Sequence, residues 1–138
     1  MNLKKIALGV VALTSIVTLA ACGSSSSKDS LAKIKDKGTL TVALSPDYAP
    51  FEFQMLKDGK NEIVGSDVDL AKEIGKALGV KVNIQAMDFN NVLASVTSGK
   101  ADIAISGISS DPDRAKAYDF SDSYYTANNV IVVKKEHQ

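Results

Sequence analysis

The chain predicts an α/β fold: a mostly parallel sheet flanked by helices. Its segments run in the order β-(hairpin)-α-β-α-β-α-β, the alternation that builds parallel layers. Short apolar runs alternate with stretches of helical period. Gly38, Gly79 and Gly99 each stand just past a helical stretch, where a left-handed residue closes a helix.

Each element has a local reason. Residues 30–37 read as a short helix, with Leu31 and Ile34 on one face and Gly38 as its stop. Residues 39–44 begin by alternating polar and apolar side chains and then turn continuously apolar, as a strand running into a core does. Residues 45–50 form a loop fixed by Pro46 and Pro50. Segments 51–53 and 62–64 pair as a hairpin around Lys57-Asp58-Gly59-Lys60. Gly65 precedes a Ser66-x-x-Asp69 capping pattern, and Leu70, Ala71, Ile74, Ala77 and Leu78 mark one face of the helix that follows. Residues 80–87 are a strand with Val80, Val82, Ile84 and Ala86 on one side. Residues 90–98 are a helix with Leu93 and Val96 inward. Residues 102–105 are a buried strand, 112–118 a helix, 119–126 irregular, and 129–134 a strand rich in β-branched side chains.

Composition excludes several classes. The 138 residues are 45% hydrophobic and 23% charged with zero formal net charge, an ordinary globular balance. No basic patch interleaves with aromatics, so nucleic acid is not an expected partner. The single cysteine, Cys22, excludes an internal disulfide and a cysteine-rich metal site, and His137 stands alone near the end. No metal, cofactor or catalytic residue is expected.

Residues 1–21 read as an export signal. Lys4 and Lys5 form the positive region, and an apolar run from Ile6 to Leu19 follows. The run ends in Leu19-Ala20-Ala21-Cys22-Gly23, which resembles a bacterial lipobox whose cysteine thiol carries the lipid. Residues 22–29, rich in serine, have the composition of a flexible tether. The expected location is the outer face of the cell membrane, held there by lipid at Cys22.

The chemistry concentrates in Ser106-Gly107-Ile108-Ser109-Ser110-Asp111-Pro112-Asp113-Arg114. Ser106-Gly107 breaks the preceding strand, Asp111 is placed to cap the next helix, and Pro112 suits its first position. Free N–H groups, serine hydroxyls and the Arg114 guanidinium in one bend make an anion site suited to a carboxylate. Ligands of open α/β sheets bind beyond the carboxyl ends of the strands. Three loops leave at that edge, carrying Tyr48, Phe89 and the anion bend, which suits a small zwitterion with an apolar or aliphatic stem. Taken singly, Tyr48 and Phe89 also suit a core, and Arg114 a surface pair with Asp111 or Asp113 worth about 0–1 kcal/mol.

The strings Ser45-Pro46-Asp47-Tyr48-Ala49-Pro50-Phe51-Glu52-Phe53, Gly65-Ser66-Asp67-Val68-Asp69-Leu70-Ala71, residues 105–114 and Phe120-Ser121-Asp122-Ser123-Tyr124-Tyr125 together resemble a known family. They are similar to the polar amino-acid substrate-binding proteins of ABC importers, the family 3 extracellular solute-binding proteins, over about residues 40–133. The resemblance implies the first lobe of a type II periplasmic-binding-protein-like fold over residues 30–128, with 129–138 the first hinge-crossing strand and the second lobe missing. It implies that Arg114 grips a free amino acid's α-carboxylate, shared by the N–H and hydroxyl of Ser109, while the Gly107 carbonyl accepts from the α-ammonium. Tyr48 and Phe89 would sandwich the side chain, and Ser106 would line the pocket as in members selective for basic side chains. Ser45 stands where several relatives carry an aspartate, with Glu52 a candidate compensating charge.

The resemblance further implies a monomeric lipoprotein that delivers a free L-amino acid to a membrane permease and its ATPase, and no enzyme. Alternatives are a non-functional fragment or a dehydratase-like enzyme of the same fold. A single lobe is expected to bind weakly or not at all, and the unpaired strand at 129–134 to leave an apolar edge.

Overall fold

The computed structural model describes residues 29–135. The expected signal, Cys22, the serines after it and His137 lie outside the described residues. The chain divides into two units, Met1–Ser106 and Gly107–Gln138.

In the first unit the elements are α1 (Ser30–Lys37), β1 (Thr39–Leu44), β2 (Asp47–Tyr48), β3 (Glu52–Lys57), β4 (Lys60–Val64), α2 (Ser66–Leu78), β5 (Lys81–Ala86), α3 (Phe89–Thr97) and β6 (Ile103–Ala104). They form a parallel sheet of order β5-β1-β6 and an antiparallel sheet of order β2-β3-β4. The α/β class with a parallel sheet flanked by helices is as expected. Because β1, β5 and β6 run in one direction, their carboxyl ends share one edge.

The central strand β1 is buried from Leu40 to Leu44, which explains why it turns continuously apolar from Val42. Ile34 of α1, Ala71 of α2, Leu40, Val42 and Ile105 form the core, with Val82 and Ile84 of β5 packed against it. Helix α1 begins where Asp29 Oδ1 accepts the Leu31 N–H at 3.2 Å, and it ends at Gly38 with φ 69°.

Several expectations need correction. The loop after β1 contains the short strand β2, which pairs with β3. The hairpin is longer than its apolar residues suggested, because left-handed Asp58 (φ 50°) and Gly59 (φ 76°) make a two-residue turn that registers Lys57 opposite Lys60. The buried face of α3 is Val92 and Ser95, one position from the expected Leu93 and Val96, which are only partly buried. The face of α2 centres on Val68, Ala71 and Gly75, leaving Ala77 exposed. A Cβ at Gly75 would stand 2.3 Å from Val82 Cγ2, so glycine is what lets α2 lie close on β5.

Strand β6 is shorter than the expected 102–105 because side chains take its end positions. Asp102 Oδ2 accepts the Thr41 N–H at 2.7 Å and pairs with Lys37 Nζ at 2.7 Å. Burial pushes that carboxyl up, yet the hydrogen bonds from Lys37 and Thr41 outweigh it and hold it below the usual carboxylate range. At the other end, the Ser106 hydroxyl accepts the Ser45 N–H at 2.9 Å.

The Ser66-x-x-Asp69 pattern does not cap α2. Its N-cap is Gly65, with no side-chain cap. Backbone carbonyls do the work instead: Ser66 N–H donates to Pro50 O at 3.2 Å and Asp67 N–H to Phe51 O at 2.9 Å. This contact needs glycine, since Gly65 has φ 129° and a Cβ there would fall 2.1 Å from Phe51 O.

In the second unit the expected helix at 112–118 is reduced to a 3-10 turn, Arg114–Lys116. The N-cap of the turn is Asp113 rather than the expected Asp111, which stands before it with Oδ1 accepting the N–H groups of Asp113 at 3.0 Å and Arg114 at 2.8 Å. The expected strand at 129–134 is not formed, because no described residue pairs with it. Val130, Ile131 and Val132 are exposed, the last two at 91%.

Replacing Gly65 by alanine should cost about 2–5 kcal/mol, combining left-handed strain with backbone overlap. Gly59→Ala, with a φ of 76° but nothing within 4 Å of its Cβ, should cost only about 1–2 kcal/mol. Urea unfolding of the two variants checks this, and equal losses would refute the close-approach account.

Candidate functional site

The carboxyl edge of the parallel sheet gathers the expected residues of the first unit. Val42 pairs with Ile103 and Ala43 with Ala104, so continuing that register sets Ser45 opposite Ser106, where β1 and β6 end. Both serines are buried. Tyr48 follows β1, is half exposed, and stacks on Phe51 with ring centroids 5.2 Å apart at 24°. That stacking presents an aromatic face without folding it into the core. Phe89 follows β5 as the first residue of α3 and is also exposed, at 42%. Met87 N–H donates to Leu44 O at 3.0 Å, which ties the start of that loop to the end of β1.

Behind the serines lies a pair of acids. Glu52, in β3 next to the loop, and Asp67, in the first turn of α2, are both fully buried. The Ser106 hydroxyl donates to Glu52 Oε1 at 2.7 Å. Glu52 also hydrogen-bonds Asp67, a contact between two carboxyls that requires one proton. Burial pushes Glu52 up most, the Ser106 hydrogen bond pulls it down, and Asp67 and Asp47 push it up again, to about 7. Glu52 is the carboxyl that burial pushes up, so the shared proton belongs to Glu52.

The second unit holds Gly107, Ser109 and Arg114. Arg114 lies in the 3-10 turn, with its Nε 3.4 Å from Asp111 Oδ2 and a guanidinium N–H donating to Ser109 O at 3.0 Å. The surface pairing with Asp111 considered from sequence is thus present, while Asp113 pairs with Lys116 at 2.8 Å. These contacts fix the plane of the guanidinium and leave N–H donors for an anion. Gly107 is left-handed at φ 54°, which suits the bend where β6 ends. No group of three or more metal-ligating side chains occurs among the described residues.

Sequence reasoning gave Glu52 a minor part and overlooked Asp67. The signal was there: Asp67 precedes Val68 on the buried stripe that continues through Ala71 and Gly75, a position an acid occupies only with a partner.

Glu52 makes stability depend on pH in a direction opposite to most carboxylates. Its folded value lies above its ordinary value of 4.5, so the folded chain holds a proton that the unfolded chain has lost. The stability it contributes is fully present below that ordinary value and is lost as pH rises through about 7. Melting temperature should fall between about pH 5 and 8, and Glu52→Gln should flatten that fall. A wild-type melting temperature that rises across the window would refute it.

Residues 40–138 match the family model described as bacterial extracellular solute-binding proteins, family 3. The chain is 44% identical over 134 residues to the arginine-binding extracellular protein ArtP of Bacillus subtilis, covering 97% of this chain and 49% of ArtP. It spans about half the length of the curated relatives it matches first. Among solved structures, the amino acid ABC transporter substrate-binding protein AbpA from Streptococcus pneumoniae, bound to L-arginine, is 60% identical with a TM-score of 0.67, over 67% of this chain and 39% of AbpA. The arginine-bound form of domain 1 from TmArgBP is 44% identical with a TM-score of 0.63, over 67% of this chain and 71% of that domain. The family and these relatives are named for binding rather than for a reaction, in line with the expectation of a binding protein and no enzyme. By this match over residues 40–138, the chain belongs to the bacterial extracellular solute-binding proteins, family 3.

Proposed function

We propose that this chain is the first-lobe portion of an amino-acid-binding component of an ABC importer, and that its ligand is a cationic L-amino acid, arginine foremost. The observation that carries this reading is the Arg114 guanidinium, held between Asp111 and Ser109 with donors left for an α-carboxylate. In this reading Ser109 shares the carboxylate, Gly107 accepts from the α-ammonium, and Tyr48 and Phe89 enclose the side chain. Ser106 lines the pocket in this reading, and Ser45 takes the position where several relatives carry an aspartate.

The arginine-bound relatives support a cationic ligand. Domain 1 of TmArgBP in arginine-bound form supports binding by one lobe, which the sequence reading expected to be weak or absent. The reading also includes export by residues 1–21, lipid attachment at Cys22, display on the outer face of the membrane, and delivery to a permease and its ATPase. The lipobox-like Leu19-Ala20-Ala21-Cys22 supports the anchor.

Titration calorimetry of the mature chain with L-arginine tests the ligand. Binding should be measurable, and Arg114→Ala should weaken it by about 30-fold to several-thousand-fold, as expected when a charge pair of about 2–5 kcal/mol loses a partner. Unchanged affinity in that variant would refute the assignment. Radiolabelled palmitate incorporated in cells by the wild type and not by Cys22→Ala tests the anchor.

A further inference from the structure

We infer that Glu52 is a positioning residue: backed by Asp67, it locks the Ser106 hydroxyl so that the only bonding capacity left on that oxygen is an acceptor lone pair. The inference deepens the proposed function, on which it rests, because it states which ligand group the strand ends accept.

A serine hydroxyl has one proton to donate and two lone pairs to accept with. Here the proton goes to Glu52 Oε1 at 2.7 Å, and one lone pair takes the Ser45 N–H at 2.9 Å. Among the described residues these are its hydrogen bonds, so one lone pair remains. Whatever meets Ser106 must therefore donate a hydrogen bond, as a guanidinium or ammonium nitrogen does and a carbonyl or carboxylate oxygen does not.

The lock holds only if Glu52 Oε1 stays an acceptor, and Asp67 ensures that. With both acids ionised, Glu52 Oε2 has no donor to satisfy it. A proton held between Glu52 and Asp67 satisfies it and keeps Oε1 free to accept from Ser106. The charged groups that act on Glu52 are Asp67 from α2 and Asp47 from β2, both acidic. The pair therefore keeps net negative charge behind the strand ends, which also favours a cationic ligand tip.

Glutamine at position 52 reproduces the locked state, since its amide oxygen accepts from Ser106 and its NH2 donates to Asp67. Alanine releases the hydroxyl to rotate and donate. The test compares L-arginine with L-citrulline, which replaces one guanidinium nitrogen by an acceptor oxygen, on wild type, Glu52→Gln and Glu52→Ala. The wild-type preference for arginine should persist within about 2-fold in Glu52→Gln and fall at least about 10-fold in Glu52→Ala, about 1.4 kcal/mol. Circular dichroism confirms that each variant is folded. A folded Glu52→Ala that keeps the preference, or a Glu52→Gln that loses it as alanine does, overturns the inference.

A ligand-free arm separates this inference from the arginine reading. Carbon-13 NMR of the Glu52 carboxyl should show its titration midpoint fall towards the ordinary value of 4.5 in Asp67→Asn and rise in Ser106→Ala. If both shifts occur and arginine does not bind, the lock stands and the arginine reading fails. If neither occurs, the lock is refuted whatever binds.

Discussion

The first turn of α2 is satisfied by the carbonyls of Pro50 and Phe51, and much of the first unit depends on that backbone contact. A helix N-terminus must find acceptors for its free N–H groups, usually from a capping side chain. Here the acceptors come from the segment leading into β3, and Gly65 removes the Cβ that would keep the two apart. The contact docks the antiparallel hairpin onto the helix and sets Asp67 beside Glu52, one residue beyond Phe51. Without it, neither acid has a reason to be buried.

Polar side chains finish what the strands begin. β6 contributes only two residues to the ladder, and side chains continue it at both ends: the Asp102 carboxylate on Thr41, and the Ser106 hydroxyl on Ser45. The first clamp faces Lys37 and is partly exposed, so its charge is shared with water and a cation. The second is buried and leans on Glu52 and Asp67. Two buried acids are a costly way to stabilise a fold, since well-packed apolar residues often do as well or better. Their merit lies in direction: they fix where the Ser106 hydroxyl points at the carboxyl edge of the sheet.

The second unit works by a different rule. Its order is local, built from the Asp111 carboxylate accepting two N–H groups and from the contacts of Arg114 with Asp111 and Ser109. These bonds span at most five residues. They set the guanidinium without a long helix: Asp111 still accepts N–H groups of this segment, although the helix shrinks to one turn whose N-cap is Asp113. At 129–134 the β-branched side chains favour extended backbone, but a strand needs a hydrogen-bonding partner and no described residue supplies one.

What the sequence determined by itself was whatever nearest neighbours along the chain decide. β1 was legible because a continuous apolar run suits a strand buried on both faces, and α1 and α2 because left-handed Gly38 and Gly79 stop them. The family likeness was likewise legible as strings, and the candidate residues Ser45, Tyr48, Phe89, Ser106, Gly107, Ser109 and Arg114 were singled out from the same strings. Only the tertiary structure decided that carbonyls rather than Ser66 cap α2, that α3 turns Val92 and Ser95 inward, and that Glu52 meets Asp67 and Ser106. Those outcomes depend on contacts between residues 15 to 54 positions apart, whose geometry no local pattern encodes. An acid on an apolar stripe announces that a partner exists; which partner, and which proton it shares, is settled when the chain closes.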